Sequence, residues 1–570
     1  MTTFMERLIA VARGDAPADL VFANARIVNT FTGEIEEASV AVAEGRVAGV
    51  GDYTEGRQRV DLKGRYLAPG LIDGHVHLES SLLHVDQYAR AVVPHGTLAA
   101  VTDLHEVTNV CGLPGMRYIL ECSRRVPLDL FFMAPSCVPA TSMETSGAKL
   151  GPADIRKALR WKGVIGLGEM MNFPGVINAD PETLAKIAVA ENHVKDGHAP
   201  QVIGRALNAY LAPLIGSDHE TTQHEEGLQK LRRGMRLMVR EGSAEKNLEE
   251  LLPLVTDGNY HRCLLVVDDR NAKDIYHDGD VDAVVRKAIR LGLDPVRAVQ
   301  MASLNVAEYF RLSGLGAIGP GYYANLLVVD DLERLQIREV YYRGRLVARD
   351  GQPLFQPRLR PNPAMMRTVN VRPFAVADLA LRAGASETFP VIQVIPGQIV
   401  TGWKEERPAR RNGAIVADPG RDLLKLVVVE RHHATGNIGI GLVRGFGLKR
   451  GAIGTSIAHD SHNVVVAGAS DQDIYAVVQE IARNQGGLAC AADGRVLASL
   501  ALPIAGLLST EPLESVVRAI ERLEEAAASL GCTAPSPYSI LSFLALPVIP
   551  ELKLTDMGLV DVMKARLLKV

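Results

Sequence analysis

The chain has 570 residues, which at roughly 100–200 residues per domain calls for two to four domains. Hydrophobic residues make up 47% and charged residues 22%, a balance that excludes disordered and collagen-like chains. Its 62 basic and 66 acidic residues leave a net charge of −4, so no basic excess marks nucleic acid as a partner.

The first twenty residues carry Glu6, Arg13, Asp15 and Asp19 and no export signal. Residues 1–66 read as β-rich, with apolar or alternating runs at Asp19–Val28 and Ala38–Ala43 separated by turns. The pattern returns at Ala324–Asp330 and Val340–Val347. Two such pieces far apart in sequence predict one small β-domain, built from 1–66 and 312–360 around an inserted domain. In between, eight apolar runs end in polar residues, and helical stretches follow them. They are Tyr66–His77, Leu98–His105, Leu130–Cys137, Gly163–Glu169, Ala190–His198, Leu214–His219, Met235–Glu241 and Cys263–Asp268. Eight strand–helix units over 67–311 match the rhythm of an α/β fold, a TIM-like (β/α)8 barrel, whose active site lies at the strand C-termini. The Pro-rich Gln352–Pro363 is the expected linker. Residues 365–570 mix short strands such as Leu424–Val429 with helices such as Leu513–Ala527, which predicts a C-terminal α+β domain.

No uncharged apolar stretch reaches the ~20 residues of a membrane helix. The six cysteines, at 111, 122, 137, 263, 490 and 532, form no Cys-x-x-Cys pair. That excludes a zinc ribbon and suits a reducing cytoplasm, so a cytoplasmic protein without membrane contact is expected.

The strongest motif is Pro69-Gly-Leu-Ile-Asp-Gly-His75-Val-His77. Histidines two apart in a strand share one face, where two imidazoles can bind one divalent metal. This motif resembles the strand-1 signature of the amidohydrolase superfamily, metal-dependent hydrolases that pair a metal-bearing barrel with a small β-sandwich from both flanks. The resemblance implies further ligands at His198 in Asp196-Gly-His-Ala-Pro200, His219 in Ser217-Asp-His-Glu220 and Asp268 in Leu264-Leu-Val-Val-Asp-Asp-Arg270. Where many members carry a carboxylated lysine, this chain reads Gly166-Leu-Gly-Glu169, and Glu169 is the implied bridge between two cations. The chain is more closely similar to the bacterial adenine deaminase family. His75-Val-His-Leu-Glu-Ser-Ser81, Asp103-Leu-His-Glu106, Gly168-Glu-Met-Met171, Asp268-Asp-Arg-Asn271, His459-Asp-Ser-His-Asn463 and Leu546-Pro-Val-Ile-Pro550 carry that likeness. Leu104 and Val267 depart from it, in place of proline and threonine.

That family deaminates adenine hydrolytically to hypoxanthine and ammonia, in purine salvage or catabolism, with a hydroxide formed on divalent metal. The implied ligand set is His75, His77, Glu169, His198, His219 and Asp268, for two cations per chain. Nitrogen and oxygen donors without thiolate suit manganese, iron or zinc. Asp268 is the expected proton acceptor, with Asp269 as its competitor. Asp103 is expected to assist proton transfer or orientation. Glu241, Ser243, His459 and His462 are the expected substrate-binding residues. No GxSxG elbow surrounds Ser461, so a serine triad is not expected there. His84, His95, His193, His224, His261, His277, His432 and His433 are expected on the surface or on helices. The expected partners are a purine base and a second copy in a homodimer. Two rivals are a dihydroorotase-like or hydantoinase-like hydrolase of a cyclic amide, and a non-catalytic barrel scaffold. Glu169 and the long C-terminal region count against the first, and the complete ligand set against the second.

Overall fold

The computed structural model describes residues 2–356, 360–382, 384 and 386–569. Of the expected linker and domains, residues 1, 357–359, 383, 385 and 570 lie outside them. In chain order the strands begin with β1 (Ala18–Asn29), β2 (Glu34–Ala43), β3 (Arg46–Gly51), β4 (Gly56–Asp61) and β5 (Tyr66–Pro69). Next come β6 (Leu71–Val76), β7 (Thr97–Asp103), β8 (Asp129–Ala134), β9 (Val164–Met170), β10 (Val194–Gly197), β11 (Ser217–Asp218), β12 (Arg236–Arg240) and β13 (Cys263–Val266). Then follow β14 (Leu326–Val329), β15 (Ile337–Tyr342), β16 (Arg345–Arg349) and β17 (Gln352–Pro353).

Strands β1–β5 and β14–β17 share one sheet, ordered β17-β16-β15-β14-β5-β1-β2-β3 with β4 beside β1. Phe22, Val40, Val42, Leu67, Leu326, Val328 and Tyr341 meet in one buried cluster on this sheet. Strands β1 and β15 stand three places apart, about 14 Å at normal strand spacing. The Phe22 and Tyr341 rings nevertheless meet edge to face at 4.9 Å, so the sheet curls around the cluster. The apolar run expected as one strand, Tyr66–His77, is two. It breaks at Gly70, where a Cβ would meet Leu98 at 2.8 Å, and the chain passes there from the flanking sheet into the next one.

Strands β6–β10 form a five-stranded parallel sheet and β11–β13 a three-stranded parallel one. The Gly216 N–H donates to the Lys195 carbonyl at 3.0 Å, tying β11 to β10. On the other side Val76 bridges Asp268 in parallel, and the Asp268 N–H donates to the His75 carbonyl at 3.0 Å. The result is a curled parallel sheet whose strand C-termini face one way.

Residues 389–501 form an eight-stranded sheet, antiparallel except where Phe389–Val394 runs beside Ile438–Arg444. Helix Asp471–Arg483 packs Ile474, Val477, Val478 and Ile481 onto Val427, Val429, Val464 and Val466. Each such side chain contributes about 1.5–3 kcal/mol on burial. The Ser470 hydroxyl caps this helix by accepting the Asp473 N–H at 3.2 Å. A second helix, Leu513–Ser529, is tied to helices beside the parallel sheet by Lys273–Glu524 at 2.5 Å and Arg90–Glu514 at 2.9 Å. Among the described residues no helix is long and apolar enough to cross a membrane.

Candidate metal centre and adjoining cavity

The six expected ligands gather at the C-terminal rim of the curled sheet. His75 lies on β6 with His77 just beyond it, Glu169 lies on β9, and His198, His219 and Asp268 follow β10, β11 and β13. All are 1–4% exposed. The Nε2 atoms of His75 and His77 lie 3.2 Å apart, with Asp268 Oδ1 3.7 and 3.4 Å from them. Glu169 divides its oxygens. Oε1 lies 3.2 Å from His77 Nε2, whereas Oε2 lies 2.6 Å from His198 Nδ1 and 3.2 Å from His219 Nε2.

The outer nitrogens are fixed. His75 Nδ1 donates to Asp196 Oδ2 at 3.1 Å, and His77 Nδ1 donates to the Asp103 carbonyl at 3.0 Å. Each contact leaves an Nε2 lone pair turned inward, the usual support for a metal-binding imidazole. His198 Nε2 and His219 Nδ1 have no hydrogen-bond partner. Buried nitrogen and oxygen donors therefore converge without thiolate, in overlapping triplets such as His75–His77–Glu169 and Glu169–His198–His219. Such a set fits a divalent cation of borderline hardness.

Electrostatics keep the carboxylates ionised. Burial alone would raise the Glu169 carboxyl, but the facing His219 and His198 rings pull it well below the usual range. Burial likewise opposes ionisation of Asp268, and His77, His219 and Arg240 overcome it. Arg240 Nη1 donates to Asp268 Oδ2 at 2.7 Å, and the same guanidinium forks onto Glu220. Burial also opposes charge on His75, yet Asp196 and Glu169 raise its ring to about 9. Acid therefore competes with metal for this nitrogen.

A second layer joins the C-terminal region to the centre. His105 Nδ1 lies 3.3 Å from Glu169 Oε1, and its Nε2 lies 3.3 Å from Glu106 Oε1. Glu106 also takes His459 Nδ1 at 2.7 Å and His462 Nε2. The His459 ring stacks on Phe543 at 4.4 Å. A cavity lies over His77, Glu169 and Asp268, beneath Ile399, His459 and Phe543. It adjoins a larger one, and the two share Asp269, His459 and Phe543.

Residues 66–347 match the amidohydrolase family, and residues 398–566 match the adenine deaminase C-terminal domain. An adenine deaminase of Dehalococcoides mccartyi (strain CBDB1) is 56% identical over 100% of this chain and 99% of that protein. Adenine deaminase 2 of Carboxydothermus hydrogenoformans is 48% identical over 97% of each chain. Among solved structures, an adenosine deaminase from Xanthomonas campestris with bound zinc aligns at a TM-score of 0.44 and 14% identity, over 59% of this chain and 94% of that one. The chain belongs to the adenine deaminase family.

Amidohydrolases are metal-dependent hydrolases, and the buried His, Glu and Asp groups are the candidate metal positions of this adenine deaminase family member. Asp103 does not border the cavity. Its Oδ2 accepts the Glu169 N–H at 2.9 Å and so sets that residue's backbone. Asp269 borders both cavities and accepts from Ser80. Ser243 lines the larger cavity and donates to Asp274 at 2.5 Å. Glu241 lines neither, because Lys287 holds one oxygen at 2.7 Å and the Leu248 N–H the other at 3.2 Å. His459 borders both cavities, whereas His462 is fully buried behind it against Glu106. His105, Asp196, Glu220 and Arg240 were outside the expected set. His105 is signalled by its place beside Glu106 just after a strand end, and Asp196 and Glu220 by lying in the motifs that hold His198 and His219. His84 corrects another expectation. It is buried, with Asp86 at 2.7 Å and Tyr118 at 2.6 Å, and His432 is buried as well.

Proposed function

We propose that this chain hydrolyses adenine to hypoxanthine and ammonia in purine salvage or catabolism, using two divalent cations. His75, His77, Glu169, His198, His219 and Asp268 would hold them, and manganese, iron and zinc all suit these donors. The observation that carries the reading is the divided Glu169 carboxylate at the floor of the cavity. One oxygen turns to His77 and the other to His198 and His219, as a ligand shared by two cations requires. Family membership supplies the substrate.

Bound divalent metal supplies a water acidic enough to ionise near neutral pH. Asp268 accepts the proton of the attacking water and returns it toward the ring and the leaving amine. Arg240 keeps that carboxylate ionised and aimed. Asp103 positions Glu169, while His459 and Phe543 exclude bulk water from above. Adenine and water give hypoxanthine and ammonia, so no further reactant is needed.

The same proposal includes the finer architecture. Backbone hydrogen bonds on both sides of the two parallel sheets support a closed (β/α)8 barrel. The curl of the nine-stranded sheet supports a small β-sandwich drawn from both flanks. The separate eight-stranded sheet supports a C-terminal α+β domain. All six cysteines are free thiols, which suits a cytoplasmic setting. Sedimentation equilibrium checks the homodimer.

Metal-stripped protein should be inactive and recover with Mn(II), and active protein should hold close to two equivalents. Ammonia release should be seen with adenine and not with adenosine, cytosine or guanine, and dihydroorotate should not be opened to carbamoyl aspartate. Full turnover by metal-free protein would sink the hydrolytic reading, and turnover of dihydroorotate would favour the cyclic-amide alternative.

A further inference from the structure

Glu245 borders the larger cavity, is 2% exposed, and has no hydrogen-bond partner on either carboxyl oxygen. A buried polar group left unsatisfied costs about 1–3 kcal/mol, so its retention beside a cavity points to a ligand that satisfies it. Burial raises this carboxyl well above its usual range, and Asp269 and Asp268 add to the rise against Arg240. That direction favours the neutral carboxylic acid. It then presents one O–H donor beside one C=O acceptor.

Deamination requires C6 of the purine to face His77, Glu169 and Asp268. The ring then extends past Asp269 and His459, the residues common to both cavities, into the space that Glu245 borders. The purine edge remote from C6 carries N3, an acceptor, beside N9–H, a donor present in the free base. We propose that the Glu245 carboxyl grips this edge, donating to N3 and accepting from N9–H, and so selects the free base over N9-substituted purines. The proposal rests on the deaminase reading above. Neither Glu241 nor His462 competes for the role, since neither borders either of these two cavities.

The test compares kcat/KM for adenine and 9-methyladenine in the metal-loaded wild type, Glu245→Met and Glu245→Gln. Metal content and melting temperature are measured alongside. Sites built to hydrogen-bond a substrate reject analogues lacking the group by large factors, so the wild type should favour adenine by about 100-fold or more. Glu245→Met should lose most of that ratio through slower adenine turnover, with 9-methyladenine little changed. Glu245→Gln keeps a donor beside an acceptor and should retain the ratio. An unchanged ratio in Glu245→Met with normal metal content overturns the proposal. Should Glu245→Met not fold, calorimetry on the wild type decides. Tighter binding of hypoxanthine than of 9-methylhypoxanthine supports the contact, and equal binding overturns it. A wild type that releases no ammonia from adenine fails at the first step, which marks the fall of the deaminase reading and of this proposal with it.

Discussion

Asp268 adopts φ +65°, a left-handed conformation uncommon outside glycine, and its Oδ1 faces His75 and His77 while Asp269 turns to Ser80. The two neighbours should therefore respond differently to loss of charge. Asp268→Asn keeps an oxygen beside the histidines but cannot take a proton, so kcat should fall by roughly 10²–10⁴ with much of the metal retained. Asp269→Asn should be mild. Glu169→Gln removes charge from the position shared by four imidazoles and should lower metal content and turnover together. Metal stoichiometry beside kcat for the three variants checks this, and a severe, metal-retaining Asp269→Asn would move the assignment by one residue. Lys553 gives a second prediction. It is fully buried, its Nζ donates to the carbonyls of Ile399 at 2.8 Å and Phe543 at 3.1 Å, and burial pushes its pKa down to about 7. A neutral amine still has a donor for each carbonyl. The unfolded chain keeps this lysine protonated up to about pH 10.4. Between those values the unfolded state binds more protons, so stability rises with pH by at most about 1.4 kcal/mol per unit. Lys553→Met should lose that slope. Unfolding midpoints of both proteins at about pH 7.5 and about pH 9.5 measure it, and parallel slopes would refute it.

At the level of elements, the loop that follows strand Ala452–Thr455 carries His459 and His462 to Glu106, the second residue of helix His105–Ser123. This buried contact between remote segments locks the C-terminal region over the parallel sheet. Removing one partner of a buried ion pair costs about 3–5 kcal/mol, because the other charge stays buried. Glu106→Gln should accordingly lower the melting temperature and raise KM for adenine more than it lowers metal content. Calorimetry with steady-state kinetics tests this, and an unchanged melting temperature would show that the contact carries no load. The same contact marks where the sequence stopped being legible. The strand framework is legible because every expected run overlaps an observed strand of the parallel sheet, and the His75-x-His77 spacing together with the family resemblance implies the candidate ligands at the ends of those runs. β11 is only Ser217–Asp218, and the motif Ser217-Asp-His-Glu220, rather than an apolar run, is what implies His219 directly after it. The pairing of residue 106 with residue 459 leaves no period and no local spacing to read. Glu241 is a related case. It ends a strand run where a purine-binding residue is expected, but Lys287, on a helix well down the chain, claims its carboxylate. His84 had no apolar-run signal, and only the fold brings Tyr118 to its ring.

For the whole molecule, the cavity over the ligands is closed by residues from the far end of the chain. Phe543 both stacks on His459 and borders the two cavities. Phe543→Ala should open the centre, and metal should pass to a chelator faster than from the wild type under equal conditions. Equal rates would mean that the aromatic cover does not govern exchange. All six ligands fall between residues 75 and 268, whereas Ile399, His459 and Phe543 are made afterwards. At about 5–20 residues per second, a ribosome passes Asp268 roughly seven to twenty-six seconds before it reaches Ile399, the first of these covering residues. During that interval the expected ligand residues exist as polypeptide while the residues that cover them do not, so the cover is the last part of the centre to be made.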